Sequence, residues 1–254
     1  MDDYFKYRYS NDIVFNLKEG TSLSIIGNSN DFFADTLING NEKCNIFVGD
    51  IELNSTNISA IRKKMSFVLY KHLNIFLGET VCDEIAFGLE SLAKKKHEIK
   101  DLIDTKSKLF KIDHLLNRDP NSLGISDKIK MKILSALIIE PKIIVLDNIM
   151  SGLDYYDKLL VFNILDEFKK NGGIVINITN DIEETLFCDE IKIIYDKVLV
   201  CDGKTISVLN EEKLLKRLGL GLPFIVELNK YFMDYGLIKK YYLTNERLVG
   251  ALWK

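Results

Sequence analysis

The segment Pro141–Asp154, which reads PKIIVLDNIMSGLD, constrains the fold of this chain more than any other stretch. Its apolar run Ile143–Leu146 ends in Asp147, a pattern typical of a buried strand that carries a carboxylate to its C-terminal edge. Similar runs of strand-forming residues alternate along the chain with segments of helical spacing. This alternation predicts an α/β fold built on a mainly parallel sheet.

Helical spacing interrupts this alternation over residues 81–138, which predicts an inserted helical subdomain. Helical patterns dominate again after residue 210. We therefore expect a core domain over residues 1–210 and a C-terminal helical tail over residues 211–254.

Two local features carry sharper expectations. A helix is predicted from Ser126 to Ile139, with Ser126 or Asp127 as a good N-cap. The segment Ile191–Val200 predicts a hairpin that closes near Asp202-Gly203, since Asp-Gly is a common turn pair.

Composition and charge restrict the class of partner. The 254 residues are 47% hydrophobic and 28% charged, a globular balance, and the net charge of −3 does not favour binding to nucleic acid. The four cysteines are scattered without metal-ligand spacing and are interpreted as reduced cytosolic thiols. Because no apolar run is long enough to span a bilayer, we expect a cytoplasmic chain, soluble or attached to a membrane through a partner.

Five segments, in order along the chain, carry a resemblance to a known family. They read IRKKMSFVLY (61–70), ETVCDEIAFGLE (79–90), PKIIVLDNIMSGLD (141–154), INITNDIEET (176–185) and LGLGLPFIVEL (218–228). In that order they resemble the strand entering the Q-loop, the segment after it, Walker B with the D-loop, the switch region and the tail of one group of ATP-binding-cassette (ABC) ATPases. That group comprises the ATPase subunits of energy-coupling-factor (ECF) importers.

The resemblance implies a P-loop-NTPase-like core that binds ATP and Mg²⁺. It also implies pairing with a second ABC ATPase subunit and coupling to a multispanning membrane subunit that imports a vitamin or a metal ion. The chain would then be a peripheral protein at the inner face of the cell membrane. In this family Asp147 would support Mg²⁺ and the next residue would be a glutamate that polarises water. Here that residue is Asn148, whose amide cannot accept a proton at neutral pH.

The connection after the first core strand departs from the P-loop pattern G-x-x-x-x-G-K-[ST], in which backbone amides and a lysine hold phosphate. The degenerate nucleotide-binding stretch comprises Gly27, Asn28, Ser29, Asn30, Asp31, Phe32, Phe33 and Ala34. Counted from Gly27, Phe33 replaces the lysine and Ala34 the Ser/Thr. Aligned from the following helix, the loop is about two residues short and Asp31 takes the lysine position. Both registers lack a lysine, which predicts weakened ATP binding and favours a turn kept for packing.

Two further positions of the family pattern are changed. Tyr70 stands where the Q-loop glutamine would reach the metal, and we interpret it as a packing residue. Asn180 stands where the switch histidine would order the water, and it can donate a hydrogen bond but carries no positive charge. Tyr7 or Tyr9 could stack on adenine, although packing against the core is the favoured interpretation.

The segment that resembles the family signature, which binds the γ-phosphate held by the opposite subunit, is also altered. It comprises Leu123, Gly124, Ile125, Ser126 and Asp127. The D-loop is retained as Ser151, Gly152, Leu153 and Asp154. It predicts either a contact across a dimer or an ordinary turn in which Asp154 caps the next helix.

The substitutions fall on groups that would touch phosphate, metal or water, and they leave Asp147 as a weak metal ligand. We hypothesise a non-catalytic ATPase-like subunit that pairs with a competent ATPase and contacts the membrane subunit beside Phe76–Glu90. Two alternatives stay open: a weakly active ABC ATPase with unusual motifs, and a regulatory or scaffold protein that reuses the fold outside transport.

Overall fold

The computed structural model describes residues 3–9, 13–90, 92 and 94–253. Residues 1, 2 and 254 at the ends of the predicted domains, and residues 91 and 93 of the predicted helical subdomain, lie outside the described residues. The strands are β1 Phe5–Tyr9, β2 Ile13–Leu17, β3 Ser22–Gly27, β4 Cys44–Val48, β5 Ile51–Glu52, β6 Met65–Leu69, β7 Ile143–Asp147, β8 Ile174–Thr179, β9 Glu190–Tyr195 and β10 Val198–Lys204. The helices are α1 Asn30–Asn39, α2 Ile58–Arg62, α3 Val81–Glu90, α4 Lys96–Leu109, α5 Ile125–Leu137, α6 Tyr155–Lys170, α7 Thr205–Leu209, α8 Glu212–Arg217, α9 Phe224–Asp234 and α10 Asn245–Leu252.

A six-stranded sheet forms the centre of the molecule, in the order β10-β9-β3-β8-β7-β6. Its pairs are parallel except for the edge hairpin of β9 and β10. Every residue of β3, β7 and β8 is buried, as expected for parallel strands covered on both faces. The predicted α/β fold with a mainly parallel sheet is therefore confirmed.

One face of this sheet packs against α1 and a second, antiparallel sheet in the order β2-β1-β4-β5. Phe5, Tyr7 and Phe33 are fully buried in this layer, and the Tyr7 ring stacks on Phe15 with centroids 4.8 Å apart. Tyr7 is thus a core residue, as the favoured interpretation expected.

The other face packs against α5 and α6, and α3 and α4 extend the same apolar core. Ile85, Ile103, Ile133 and Val161 come from these four helices in turn and are almost completely buried. The tail helices bury Leu215, Val226 and Leu248 in a third cluster with β9.

The hairpin prediction is wrong in its turn. The chain reverses at Asp196-Lys197, where both residues have positive φ. A two-residue turn between strands with the usual right-handed twist requires this conformation. Asp202 and Gly203 lie inside β10 and pair with Lys192 and Ile191 of β9. The Asp-Gly pair does not form the turn, because the turn is held at Asp196 by hydrogen bonds with Asn28.

The predicted cap of α5 is also wrong. The helix begins at Ile125 with Gly124 at the N-cap, and no side chain caps it. Ser126 and Asp127 lie within the first turn, where they contact other side chains instead. In the described part of the chain, no helix is both long enough and apolar enough to cross a bilayer.

Candidate functional site

The C-terminal edge of the central sheet gathers residues that are distant in sequence. Strands β3, β8, β7 and β6 are parallel neighbours, so their carboxyl ends meet at one edge. The residues that follow them are Asn28, Asn180, Asn148 and Tyr70, and all four belong to the predicted site. We call this region the strand edge.

The connection from β3 to α1 is tight. Gly27 has a φ of +148°, and a Cβ added there would lie 1.8 Å from the carbonyl oxygen of Ile194. Only glycine fits this close approach. Asn28 and Ser29 form the whole turn, and their side chains hold the β9–β10 turn. Asn28 Nδ2 donates to Asp196 Oδ1 at 2.8 Å, and the backbone N–H of Lys197 donates to Ser29 Oγ at 3.0 Å.

The start of α1 favours the register that is aligned from the following helix, in which the loop is about two residues short. Helix α1 begins at Asn30, only three residues after Gly27, and Asp31 is exposed on its first turn. Phe33 and Ala34 are fully buried. Phe33, which aligns with the lysine when counting starts at Gly27, therefore faces the core. Phe32 packs against Tyr9 with ring centroids 4.8 Å apart. The first turn of α1 therefore presents the exposed carboxylate of Asp31 at the strand edge.

A chain of side-chain amides crosses the strand edge. Asn30 Nδ2 donates to the carbonyl oxygen of Thr179 and to Asn180 Oδ1, both at 2.9 Å. Asn180 Nδ2 donates to Asn148 Oδ1 at 3.2 Å, and Asn148 Nδ2 donates to Asp147 Oδ1 at 3.0 Å. Asn148 has a φ of +50°, a left-handed conformation that asparagine tolerates. The amide chain links three strand ends through the protein's own side chains.

Asp147 is the charged end of this chain. Burial, and then the negative charge of Asp31, raise its pKa to about 6, against opposing effects of Lys71 and Asn148. Asp147 is only 4% exposed. Its negative charge at neutral pH is therefore balanced only in part by Lys71 and by the hydrogen bond from Asn148.

Lys71 is a contributor that the sequence analysis missed. Lys71 Nζ contacts Asp35 Oδ1 at 2.7 Å. The hydrogen bond with this carboxylate raises the pKa of Lys71, and the charges of Asp147 and Asp31 contribute further. Lys71 directly follows Tyr70 in the sequence. Its contact with α1 could not be predicted from that position, because it depends on the short turn Tyr70–His72, which leads the chain back toward α1.

The signature-like segment lies at the start of α5, and its polar groups are already paired. Ser126 Oγ donates to Asp157 Oδ2 at 2.6 Å. Lys130, whose side chain is 6% exposed, lies 3.0 Å from both Asp127 and Asp157. Leu123 is buried beside this network, whereas Gly124 and Ile125 are exposed.

The D-loop packs between the signature-like segment and Tyr70. A Cβ on Gly152 would lie 3.0 Å from Ile125 and 3.6 Å from the Tyr70 ring, so both side chains lie beside the D-loop, although each is about half exposed. Ser151 Oγ donates to the carbonyl oxygen of Asn148 at 3.1 Å. Asp154 caps α6 by accepting from the backbone N–H of Asp157 at 2.8 Å, while Leu153 is buried.

The strand edge does not fit Mg·ATP in the manner of a P-loop. Only Asn28 and Ser29 lie between Gly27 and the start of α1, fewer residues than a P-loop has, and the side-chain amides of Asn28 and Asn30 are already bonded. Asp31 places a negative charge at the helix start. Among the described residues, no group of three or more His, Cys, Asp or Glu side chains could hold a metal ion.

The strand order, the antiparallel layer and the helices after β6 define the class: this is the fold of ABC ATPases. A solved structure of cbiO1 from Clostridium perfringens, described as part of the ABC transporter complex cbiONQ, matches with a TM-score of 0.74. The two sequences are 22% identical, and the match covers 91% of this chain and 100% of that one. No protein-family model matches the chain.

Curated relatives narrow the class. The energy-coupling factor transporter ATP-binding protein EcfA1 of Bacillus subtilis is 30% identical over 266 residues, covering 99% of this chain and 94% of its own length. The protein of the same name from Leuconostoc mesenteroides is 32% identical over 209 residues, covering 78% and 77%. The chain belongs to the family of energy-coupling factor transporter ATP-binding proteins.

Proposed function

We propose that this protein is a non-catalytic ATPase-like subunit of an ECF-type importer, one that pairs with a competent ATPase subunit and couples it to the membrane component. The observation that carries the proposal is the amide chain at the strand edge. Its asparagines stand where the resemblance places the catalytic glutamate and the switch histidine, and they bond to one another.

Loss of phosphate affinity follows from the charges. A P-loop lysine supplies charge-assisted hydrogen bonds worth roughly 1.5–3 kcal/mol each. Asp31 instead places a like charge near the phosphate position, which costs up to about 4 kcal/mol at 4 Å and an intermediate dielectric. Lys71 offsets part of this charge but is committed to Asp35. We therefore expect this chain to hold ATP and Mg²⁺ poorly by itself.

Loss of turnover follows from the amides. Hydrolysis needs a group that accepts a proton from the attacking water, and neither Asn148 nor Asn180 has one. Asp147 accepts a hydrogen bond from Asn148, and it stands where the resemblance places a Mg²⁺ ligand rather than the base that activates water. Bound nucleotide would consequently persist without hydrolysis at this edge.

Exposed apolar residues support the two partner contacts. Ile125 is 54% exposed and Tyr156 81% exposed, and they flank the retained D-loop on the side expected to meet a second ATPase subunit. Ile75, Leu77 and Phe87 are exposed around the segment Phe76–Glu90, the expected contact with a membrane subunit. Both assignments rest on the family, and from them we expect the protein to lie at the inner face of the membrane.

A binding titration tests the proposal first. The purified full-length chain is titrated with a fluorescent ATP analogue and Mg²⁺, and saturable binding is expected only at or above about 1 mM, a binding free energy near −4 kcal/mol. The variant Asp31→Lys is expected to bind more tightly, because it exchanges a repulsive charge for an attractive one, yet it should not hydrolyse ATP. Micromolar binding with turnover by the unmodified chain would overturn the proposal.

A second measurement addresses the partners. The tagged chain is isolated from its own cells, and the assembly is assayed for ATPase activity. We expect a second ATPase subunit and a multispanning membrane protein to co-purify, with all hydrolysis abolished by a P-loop lysine substitution in the second ATPase. Residual hydrolysis that depends on Asp147 of this chain would favour a weakly active ATPase. Recovery without any membrane protein would favour a scaffold role.

A further inference from the structure

The loop of residues 73–80, which leads into α3, points two large apolar side chains into solvent. Ile75 is 57% exposed and Leu77 is 69% exposed, although Phe76 between them packs against the apolar core that α3 and α5 share. An apolar side chain gains free energy by leaving water, so a fixed backbone is needed to keep these two in place. Three charged side chains from α3 and α5 fix it.

Glu84 of α3 holds the end of the loop. Its Oε2 accepts from the backbone N–H of Leu77 at 2.7 Å and from that of Gly78 at 3.0 Å, and its Oε1 accepts from Lys132 Nζ at 2.7 Å. Burial alone would raise the pKa of Glu84, but the hydrogen bonds from Lys132 and the two loop amides outweigh burial and keep that pKa below its ordinary value. The carboxylate therefore stays charged at neutral pH, and its bonds to the loop are charge-assisted.

Two lysines of α5 hold the middle of the loop. Lys132 Nζ donates to the carbonyl oxygen of Ile75 at 2.6 Å and lies 4.7 Å from the centroid of the Phe76 ring. Lys128 Nζ donates to Asn74 Oδ1 at 2.9 Å and lies 5.6 Å from the centroid of the same ring. Cation–π attraction adds to these hydrogen bonds. The loop is thus fixed to α5 at two points as well as to α3.

The loop also lies directly against the start of α3. A Cβ added to Gly78 would lie 2.3 Å from the backbone nitrogen of Glu84, so a glycine is needed for this approach. The close contact at Gly78 and the bonds of Glu84 and Lys132 act on the same few residues. The loop therefore keeps its shape before any partner binds.

We propose that Glu84 and Lys132, which we call the clamp, are positioning residues that hold Ile75 and Leu77 ready for the membrane subunit. This inference rests on the proposed function, which assigns the contact with that subunit to the surroundings of Phe76–Glu90. A pre-formed loop loses little conformational freedom on binding, so the clamp increases affinity without touching the partner. The Glu84 side chain, which is 9% exposed, contributes little contact area of its own.

Amide hydrogen exchange in the isolated full-length chain tests the clamp first. Glu84→Ala should quicken exchange at residues 77 and 78 at least about tenfold, because both amides lose a charged acceptor. Glu84→Gln keeps an acceptor oxygen and should restore part of the protection. Glu98→Ala is the matched control, because Glu98 accepts from the backbone N–H of Lys95 and so holds the start of α4 instead. It should leave exchange at residues 77 and 78 unchanged.

Co-purification from the protein's own cells tests the role of the clamp. Tagged Glu84→Ala should lose most of the membrane protein and retain the second ATPase subunit, since only the loop is loosened. Leu77→Ala should also lose the membrane protein, but without quickening exchange at residue 78, because it removes contact area and leaves the clamp in place. The two variants thereby separate positioning from contact. Glu98→Ala should retain both partners.

Four results would overturn the inference. Unchanged exchange at residues 77 and 78 in Glu84→Ala would mean that the carboxylate does not hold the loop. Faster exchange with full retention of the membrane protein would mean that a pre-formed loop is not needed. Equal loss of both partners would mean that Glu84 supports the fold as a whole. These three results leave the proposed function standing, whereas absence of any membrane protein from the unmodified assembly would overturn the proposed function and the role of the clamp together.

Discussion

The starts of α1 and α5 are two regions that the family resemblance assigns to phosphate, one for the chain's own nucleotide and one for that of a partner. They differ in how their carboxylates are balanced. At α1, Asp31 adds to the burial of Asp147 and raises its pKa to about 6. At α5, burial would raise the pKa of Asp157, but the Ser126 hydroxyl and Lys130 outweigh it and hold that pKa below its ordinary value.

We propose that anion affinity is lost in two physical ways. The start of α1 is expected to repel an anion, because its negative charge is incompletely balanced. The start of α5 has few free groups to offer, because Ser126, Asp127 and Lys130 already bond within the chain. Variants that affect one start and spare the other can test this distinction.

The largest effect is expected for Gly27→Ala. The added Cβ would lie 1.8 Å from the Ile194 carbonyl oxygen in a backbone conformation that disfavours alanine. We expect a loss of at least about 4 kcal/mol in the free energy of unfolding, a value reserved for severe core disruption. At α5, Gly124→Ala meets nothing within 4 Å and should change stability by less than about 0.5 kcal/mol. Urea denaturation followed by circular dichroism measures both, and similar losses would contradict the tight β3–α1 connection.

Lys130→Met is expected to follow in size. It leaves Asp127 and Asp157 without their shared cation at a site where the lysine is 6% exposed. Removing one member of a largely buried ion pair costs about 3 kcal/mol. Lys170→Met, which breaks a solvent-exposed pair with Asp166, serves as the control and should leave the urea midpoint unchanged. A small effect of Lys130→Met would mean that the network at α5 is not a stabilising unit.

Most of the fold could be predicted from the sequence because its signals are local and repeated. The largely apolar runs of β3, β7 and β8 are typical of a sheet covered on both faces, and the structure confirms this. The turn of the β9–β10 hairpin could not be predicted, because Asp196 is held by Asn28, which is 168 residues away in sequence.

The candidate site was predictable as a set of positions but not as a set of contacts. Asn148 and Asn180 were identified from their positions in the family pattern. Their bond to each other depends on β7 and β8 being neighbours, a fact of topology rather than of composition. The role of Lys71 was missed for the same reason, since it depends on the turn Tyr70–His72 facing α1.

The free energy of unfolding should change with pH in opposite directions through the carboxyl group near the start of α1 and the one near the start of α5. The folded-state pKa of Asp147, about 6, exceeds the ordinary value of 3.8, so the folded protein binds the proton more tightly. Its contribution to stability is therefore most favourable below about pH 4 and declines as the pH rises through 6. Asp147→Asn should be more stable than the unmodified chain by about 2–3 kcal/mol at pH 8 and equal to it at pH 4.

Asp157→Asn is the matched control, with the opposite sign. Because the folded-state pKa of Asp157 is lowered, its contribution to stability is present above the unfolded pKa and is lost as the pH falls through the folded one. This variant should be less stable than the unmodified chain at pH 7, and the difference should shrink in acid. Urea titrations at several pH values measure both variants, and parallel curves for the two would contradict the contrast between the starts.

The smallest effect is expected for Asn30→Ala. It removes the two hydrogen bonds that Asn30 Nδ2 donates to the Thr179 carbonyl and to Asn180 Oδ1, at a cost of about 1–2 kcal/mol. Ser126→Ala removes one bond to Asp157 at the start of α5 and should cost about 1 kcal/mol, since Lys130 still holds that carboxylate. Amide hydrogen exchange at residues 148 and 180 adds a local measure, because it should quicken in Asn30→Ala and not in Ser126→Ala. If exchange at these two residues is unaffected by Asn30→Ala, the amide chain does not hold the strand edge together, and its asparagines are free to rearrange around a ligand.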